Sequence, residues 1–383
     1  MSAAEHEVVI CGAGASGLSA AAMLRKRGVE SLIVEKSDRI APSWRGRYDG
    51  LRLNTLGWMS RLPGLAPGWG PREFPSREAY IDYLERYAEH HRLRIQFDTE
   101  VSRLDREQGL WRLETSRGPL RSRFAVVATG YELVPKLPDV PGIESYTGEL
   151  IHSSRFRSAA EFSGRDVLVV SAGVTGSEVA FFLAEAGAAR VRVAVRTPPN
   201  ILRRCRFGIP LNPVGPVLNR LPSAIGDRVT ALSQRMIFGD LSDYGLSRPP
   251  KGVLSSLRER RIGPIIDDGF VEAVKAGRIE IVPALEAFDE RDVILAGGER
   301  IRPDAVIAAT GYERGLENLV GHLDVIGEHG EPQAINGATH KNAPGLFFVG
   351  YVVTLGGHLR GIRLESKKVA RTLAKQRASA GKE

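Results

Sequence analysis

Cysteine is scarce in this 383-residue chain: Cys11 and Cys205 are the only two, and they form neither a Cys-x-x-Cys pair nor a metal-ligand spacing. A disulfide framework, a zinc centre and a dithiol redox pair are therefore not expected, and a reducing cytoplasm is the default setting. Long apolar runs are also missing. No stretch approaches the roughly 18 residues that cross a bilayer. The chain opens on Glu5, His6 and Glu7 rather than on a basic leader, so a soluble protein without stable membrane insertion is expected. No metal site is expected, because His90-His91 lacks further ligands and reads as surface. No catalytic triad or carboxylate pair stands out. Charge of one sign is in excess, at net +8, but basic residues alternate with acids, as in Arg258-Glu259-Arg260-Arg261. Without an aromatic and basic platform, nucleic-acid binding is not expected. What remains is an ordinary globular composition, 43% hydrophobic and 26% charged, with length for two domains.

The informative stretch comes first. Val8-Val9-Ile10-Cys11 is a short apolar run, Gly12-Ala13-Gly14-Ala15-Ser16-Gly17 is a Gly-x-Gly-x-x-Gly turn, and Leu18 to Arg27 has helical apolar spacing. Strand, tight turn and helix in that order make a dinucleotide-binding unit. Gly12 makes the turn, Gly14 lets the backbone approach a pyrophosphate, and Gly17 lets the helix pack on the strand. Free N–H groups and the positive end of the helix dipole then meet the phosphates. A second run, Ser31 to Val34, leads to Glu35, 21 residues beyond Gly14 and placed to accept a bond from a ribose 2′-hydroxyl. A carboxylate there suits FAD or NAD and repels a 2′-phosphate.

The pattern recurs with two changes. Asp166 to Val170 reads as a strand, Ser171-Ala172-Gly173-Val174-Thr175-Gly176 as the turn, and Ser177 to Gly187 as the helix. Ser171 stands where the first glycine is expected. A negative φ would accommodate it, whereas a left-handed conformation costs about 1 kcal/mol or more. The next strand, Arg190 to Val195, ends in Arg196-Thr197 where the first unit has Glu35. Arginine pairs with the 2′-phosphate of NADPH, a charge-assisted contact worth about 1.5 to 3 kcal/mol. The opposed charges of Glu35 and Arg196 assign FAD to the first unit and NADPH to the second.

Between and beyond these units the reading is coarser. The Pro42 to Thr55 segment is expected to be a loop, and Ser76 to N-cap a helix whose Tyr80, Ile81, Tyr83, Leu84, Tyr87 and Ala88 form core. Residues 93–97, 100–104, 110–115 and 120–123 read as a meander of short strands. Phe124 to Glu132 is a buried strand ending in Ala128-Thr129-Gly130-Tyr131, and Asp304 to Glu313 repeats that ending as Ala309-Thr310-Gly311-Tyr312. Pro198 to Pro250 is irregular apart from a helix over 224–238. Short strands at 277–282, 286–288, 293–295 and 300–301 follow, and the chain closes with a strand over 344–351 and a helix from Ile362 to about Lys375.

These motifs resemble the flavin-containing monooxygenases that hold FAD and NADPH on one polypeptide, most of all the plant and bacterial indolepyruvate-type enzymes. The resemblance covers nearly the whole chain. A Trp-Arg pair, Trp44-Arg45, follows the first unit, with Pro42-Ser43 in place of the usual glycines. Tyr48, Leu51 and Asn54 match a Tyr-x-x-Leu-x-x-Asn pattern, and Tyr146, Gly148, His152 and Phe156 match the fingerprint Phe-x-Gly-x-x-x-His-x-x-x-Tyr/Phe. Phe156-Arg157 departs from the Baeyer–Villiger version, which ends in Trp followed by Pro or Asp. Gly350-Tyr351 replaces the Gly-Asp of many relatives with the aromatic found in the indolepyruvate enzymes.

The resemblance implies an α/β protein with two nested Rossmann-like dinucleotide-binding domains. FAD would be bound by residues 1–157 and 302–383, NADPH by the inserted 158–301, with the active site in the cleft between them. It implies cofactor contacts at Gly12, Gly14, Ala15, Ser16, Gly17, Glu35, Lys36, Trp44, Arg45, Val101, Thr129, Gly130, Gly350 and Leu359, and also at Gly173, Thr175, Gly176, Arg196, Thr197, Thr310 and Gly311. Asn54 would sit near the reactive edge of the flavin, and His152 would be an interdomain or nicotinamide-side contact rather than a general base. The implied partners are a small organic substrate and O2. NADPH would reduce FAD, and a flavin hydroperoxide would give one oxygen atom to nitrogen or sulfur, or attack a carbonyl or 2-oxo acid. The competing reading is a flavin-binding redox sensor or oxidase with a degraded NADPH site, motivated by Ser171. Oligomeric state stays open, a homodimer included.

Overall fold

A computed structural model describes residues 5–260 and 262–380. The strands that organise it are β1 (Glu5–Cys11), β2 (Leu32–Val34), β3 (Arg94–Gln96), β4 (Val101–Glu107), β5 (Leu110–Thr115) and β6 (Leu120–Val127). They are followed by β7 (Glu149–His152), β8 (Asp166–Val170), β9 (Arg190–Ala194), β10 (Glu280–Val282), β11 (Ala305–Ala308) and β12 (Leu346–Phe348). The main helices are α1 (Ala15–Arg25), α2 (Gly57–Ser60), α3 (Arg77–His90), α4 (Val174–Glu185), α5 (Ser223–Phe238) and α6 (His358–Ala380). The chain is a mixed α/β protein built on parallel strands, and it divides into two compact units.

The first unit comprises residues 1–45, 50–134 and 312–383. Its sheet runs β3-β2-β1-β6-β5-β4, parallel from β3 to β6 and antiparallel through the β4-β5-β6 meander. β6 serves two neighbours on one edge: its first half pairs with β5, and Ala125 to Val127 pair with β12. Successive β1 side chains enter opposite cores, Val8 and Ile10 on one face, Val9 and Cys11 on the other. A strand covered on both faces must be apolar throughout, which is why 8–11 shows no alternation. Burial pushes the Cys11 thiol up to about 12, so it is an inert core residue.

Helix α1, apolar or small apart from Ser16 and Ser19, is buried from Ala15 to Leu24 and packs on α6. Ser76 caps α3 by accepting from the Ala79 N–H at 3.2 Å. The tyrosine stripe of α3 is core, with Tyr80, Tyr83 and Tyr87 fully buried. Two of its hydroxyls fasten the preceding loop: Tyr83 accepts from the Leu62 N–H at 2.9 Å, and Tyr87 donates to the Pro63 carbonyl at 2.6 Å.

The second unit comprises residues 46–49 and 135–311. Its sheet, β10-β9-β8-β11-β7, is parallel throughout. The compact units therefore change over at 134/135 and 311/312, where the sequence placed the boundaries at 157/158 and 301/302. β7 pairs residue by residue with β11, Glu149 with Ala305 through His152 with Ala308, so both strands belong to the second sheet.

Three local readings shift. Pro42–Arg45 forms a helical turn within the expected loop. α1 begins at Ala15 because Gly14, in extended conformation, is its N-cap. α6 begins at His358, directly after the left-handed Gly357, and Gly361 lies inside the helix rather than ahead of it. Ser171 adopts φ +84°, the left-handed conformation that glycine takes at Gly12 with φ +107°. Ser171→Gly removes that strain at the cost of a more flexible unfolded chain, so we expect a stability gain of up to about 1 kcal/mol. In a thermal melt this is a rise of about 2 to 4 °C; an unchanged or lower midpoint would show that the serine is not strained.

Candidate functional site

The two glycine turns can be compared atom for atom, each within its own unit. In the first, the Gly12 N–H bonds the Val34 carbonyl at 2.8 Å; in the second, the Ser171 N–H bonds the Ala194 carbonyl at 3.0 Å. A Cβ on Gly17 would collide with the Gly12 carbonyl oxygen, and one on Gly176 with the Ser171 carbonyl oxygen. Gly14 and Gly173 cap their helices in near-identical extended conformations, φ −82° and −75°, and neither helix start has a side-chain cap or an acid in its first turn. A Cβ on Gly14 would meet nothing within 4 Å, and one on Gly173 only the Ser171 Oγ at 3.9 Å. Each turn thus leaves open space at Gly14 or Gly173 beside the N–H groups of a helix N-terminus, as a pyrophosphate requires. Ala15 and Ser16 open the first helix, and Thr175, half-buried, opens the second. The Ser171 substitution preserves this geometry.

The residues that follow each second strand differ in charge and in surroundings. Glu35 is 5% exposed; its carboxylate accepts from the Ala13 N–H at 2.7 Å and the Ser37 N–H at 3.0 Å, which fixes it against the glycine turn. Lys36 beside it is exposed. Arg196 and Thr197 are exposed, and Arg196 makes no ion pair with the described residues. A fixed anion in one unit and an uncommitted cation in the other suit a ribose diol and a 2′-phosphate respectively.

Around the first turn, Gly130 is left-handed, as Gly311 is in the second unit, so the repeated Ala-Thr-Gly-Tyr endings share a backbone turn. The Thr129 hydroxyl lies 2.8 Å from that of Tyr351, whose buried phenol is raised above its ordinary range by desolvation. A Cβ on Gly350 would strike the Ser16 side chain, and the Gly350 N–H donates to Glu365 at 3.0 Å. Burial pushes the Glu365 carboxyl up to about 7. Glu365 was not singled out in the sequence; the signal for it is an acid on the apolar side of an otherwise amphipathic helix. Leu359 is buried in the first turn of α6, and Val101 opens β4.

Trp44 and Arg45 make contacts within the first unit: the Trp44 ring meets Tyr80 edge-on at 4.7 Å, and Arg45 bonds the Ile40 carbonyl at 3.0 Å and pairs with Glu85. Asn54 is half-buried, next to Leu53, whose N–H bonds the Pro75 carbonyl at 2.8 Å.

The fingerprint residues gather in the second unit. The Tyr146 ring meets Phe288 at 4.5 Å, tilted by 45°, and any side chain on Gly148 would collide with it. The His152 Nε2 lies 3.0 Å from the Gly311 carbonyl, which can only accept, while Nδ1 accepts from the Ser154 N–H at 3.0 Å. These partners select the neutral ring with its proton on Nε2, and burial lowers its pKa in the same direction. Phe156, 1% exposed, packs on Tyr48 at 5.8 Å. Tyr48 belongs to this unit; it also meets Phe182 and donates its hydroxyl to Glu178 on α4. Thr310 donates to the Lys136 carbonyl. No helix among the described residues is long and apolar enough to cross a membrane.

Comparison with known proteins agrees with this geometry. A profile of the family described as pyridine nucleotide-disulphide oxidoreductase matches residues 9–235. The chain is 34% identical to a probable indole-3-pyruvate monooxygenase, YUCCA9, of Arabidopsis thaliana, covering 90% of this chain and 83% of that protein. It is 33% identical to the indole-3-pyruvate monooxygenase YUCCA1 of Oryza sativa subsp. japonica, over 90% and 86%. The fold is similar to that of a flavin-containing monooxygenase from Stenotrophomonas maltophilia, with TM-score 0.73, 22% identity and 97% and 99% of the two chains covered. OTEMO in complex with FAD and NADP matches at TM-score 0.75 and 18% identity, over 99% and 86%. Cofactors, reaction class and sequence relationship converge: the chain is an FAD- and NADPH-dependent flavoprotein monooxygenase and belongs to the flavin-containing monooxygenase family.

Proposed function

We propose that this monooxygenase acts in the cytoplasm on a 2-oxo acid with an aromatic side chain, converting it to the carboxylate one carbon shorter. The balance is one 2-oxo acid, O2, NADPH and a proton giving one carboxylate, CO2, water and NADP⁺. Support for the substrate comes from the relatives named for indole-3-pyruvate. Support for the cofactor assignment comes from one observation, the fixed Glu35 anion and the uncommitted Arg196 cation at equivalent places after two matching turns. In this reading two nested dinucleotide-binding domains divide the work, the first unit holding FAD and the second NADPH.

FAD, when bound, supplies hydride acceptance and O2 activation; the chain supplies binding and water exclusion. The N–H groups at the start of α1 would hold the FAD pyrophosphate, and Glu35 the adenosine ribose. The start of α4 would hold the NADPH pyrophosphate and Arg196 its 2′-phosphate. Asn54 would offer its amide N–H near the reactive edge of the flavin. Neutral His152 has both nitrogens committed within its own unit, so it orients backbone and moves no proton.

Anaerobic titration tests the reading: NADPH should bleach the bound flavin stoichiometrically, and aerobic turnover should release CO2 from phenylpyruvate one-for-one with NADPH. Flavin that NADPH cannot reduce would favour a redox sensor, and turnover yielding only hydrogen peroxide would favour an oxidase. Arg196→Ala should raise the KM for NADPH about 10- to 100-fold, the loss of one charge-assisted contact, and shrink the preference over NADH; an unchanged NADPH/NADH ratio removes Arg196 from the site. Asn54→Ala should divert NADPH oxidation to hydrogen peroxide, and fully coupled turnover in that variant would exclude the role.

A further inference from the structure

Three arginines of the first unit converge without an acid to neutralise them. Arg61 follows α2 directly, and Arg360 and Arg363 lie one turn apart on the first two turns of α6, which packs on α2. The Arg363 guanidinium reaches the Trp58 carbonyl at 3.5 Å. None of the three makes an ion pair with the described residues, whereas Arg45, Arg77 and Arg377 of the same unit pair with Glu85, Glu78 and Glu7. Arg363 is half-buried, and burial together with Arg61 and Arg360 beside it lowers its pKa. Like charges at a partly desolvated place are unfavourable unless an anion joins them.

The surroundings restrict which anion fits. Trp58 is 38% exposed, a large apolar ring left partly open next to the cations. The start of α6 is pressed onto the neighbouring loop, since any side chain on Gly357 would strike Thr55, the residue after Asn54. The cluster therefore flanks the loop that carries Asn54.

We propose that Arg61, Arg360 and Arg363, with Trp58 beside them, form the site that binds the carboxylate of an aromatic 2-oxo acid. Guanidinium groups match a carboxylate bidentately, and the indole provides a face for a planar apolar side chain. The inference rests on the substrate reading above and adds the residues that would select for it.

The test is calorimetric binding to the flavin-loaded protein, using phenylpyruvate and its uncharged methyl ester as probes. Arg363→Gln should weaken phenylpyruvate binding about 10- to 100-fold and change ester binding less than about twofold, with flavin content and melting temperature showing an intact fold. Arg61→Gln, at an exposed position, serves if Arg363→Gln does not fold. Equal effects on acid and ester, or none on either, would overturn the site, as would inorganic phosphate that competes as strongly as phenylpyruvate. Charge-dependent binding without oxygen transfer would keep the site and reject the substrate reading. CO2 release from phenylpyruvate at an unchanged kcat/KM in Arg363→Gln would do the reverse.

Discussion

Everything in this fold depends on a backbone contact that only glycine permits, made twice. The Gly17 and Gly176 α-carbons lie against the carbonyl oxygens of residues 12 and 171, so close that a methyl group at either place would collide with them. That contact sets each helix hard against its strand with its N-terminus beside the turn. The N–H groups there have no side-chain cap, so the helix dipole is left for a ligand phosphate. Glu35 is tied to the first turn through the Ala13 N–H.

Electrostatics then separates two units of similar geometry. Glu35 is fixed by two backbone N–H donors and Arg196 is exposed without an ion pair among the described residues, so one turn favours a hydroxyl donor and the other a 2′-phosphate. Few other ionisable groups enter the account. His152 is neutral and occupied, Tyr351 is bonded to Thr129, and Cys11 is buried beyond reach. This is the environment expected when a cofactor performs the redox chemistry and the protein positions and shields it.

Much of this was legible in the sequence because the signals are local. The turns, the buried strands, the Ser76 cap and the α3 tyrosines each depend on residues within a few positions. What was not legible depends on pairing at a distance. The β7 to β11 pairing joins residues 149–152 to 305–308 and moves the change between units to 134/135 and 311/312. Gly361 reads as a helix breaker, yet α6 runs through it because the left-handed Gly357 ends the loop. The convergence of Arg61 with Arg360 and Arg363, some 300 residues away, and the bond from the Gly350 N–H to Glu365 are packing outcomes without a sequence motif. Ser171 shows a local rule yielding: the backbone turn imposed φ +84° on a serine where the pattern calls for glycine.

The most direct test of the account follows the oxygen atoms. With phenylpyruvate, NADPH and ¹⁸O2, mass spectrometry should find one labelled atom in the phenylacetate product and the other in water. Phenylacetate formation abolished by catalase, with NADPH oxidation continuing and the label leaving the protein as hydrogen peroxide before any product forms, would contradict a monooxygenase that keeps its activated oxygen within the protein.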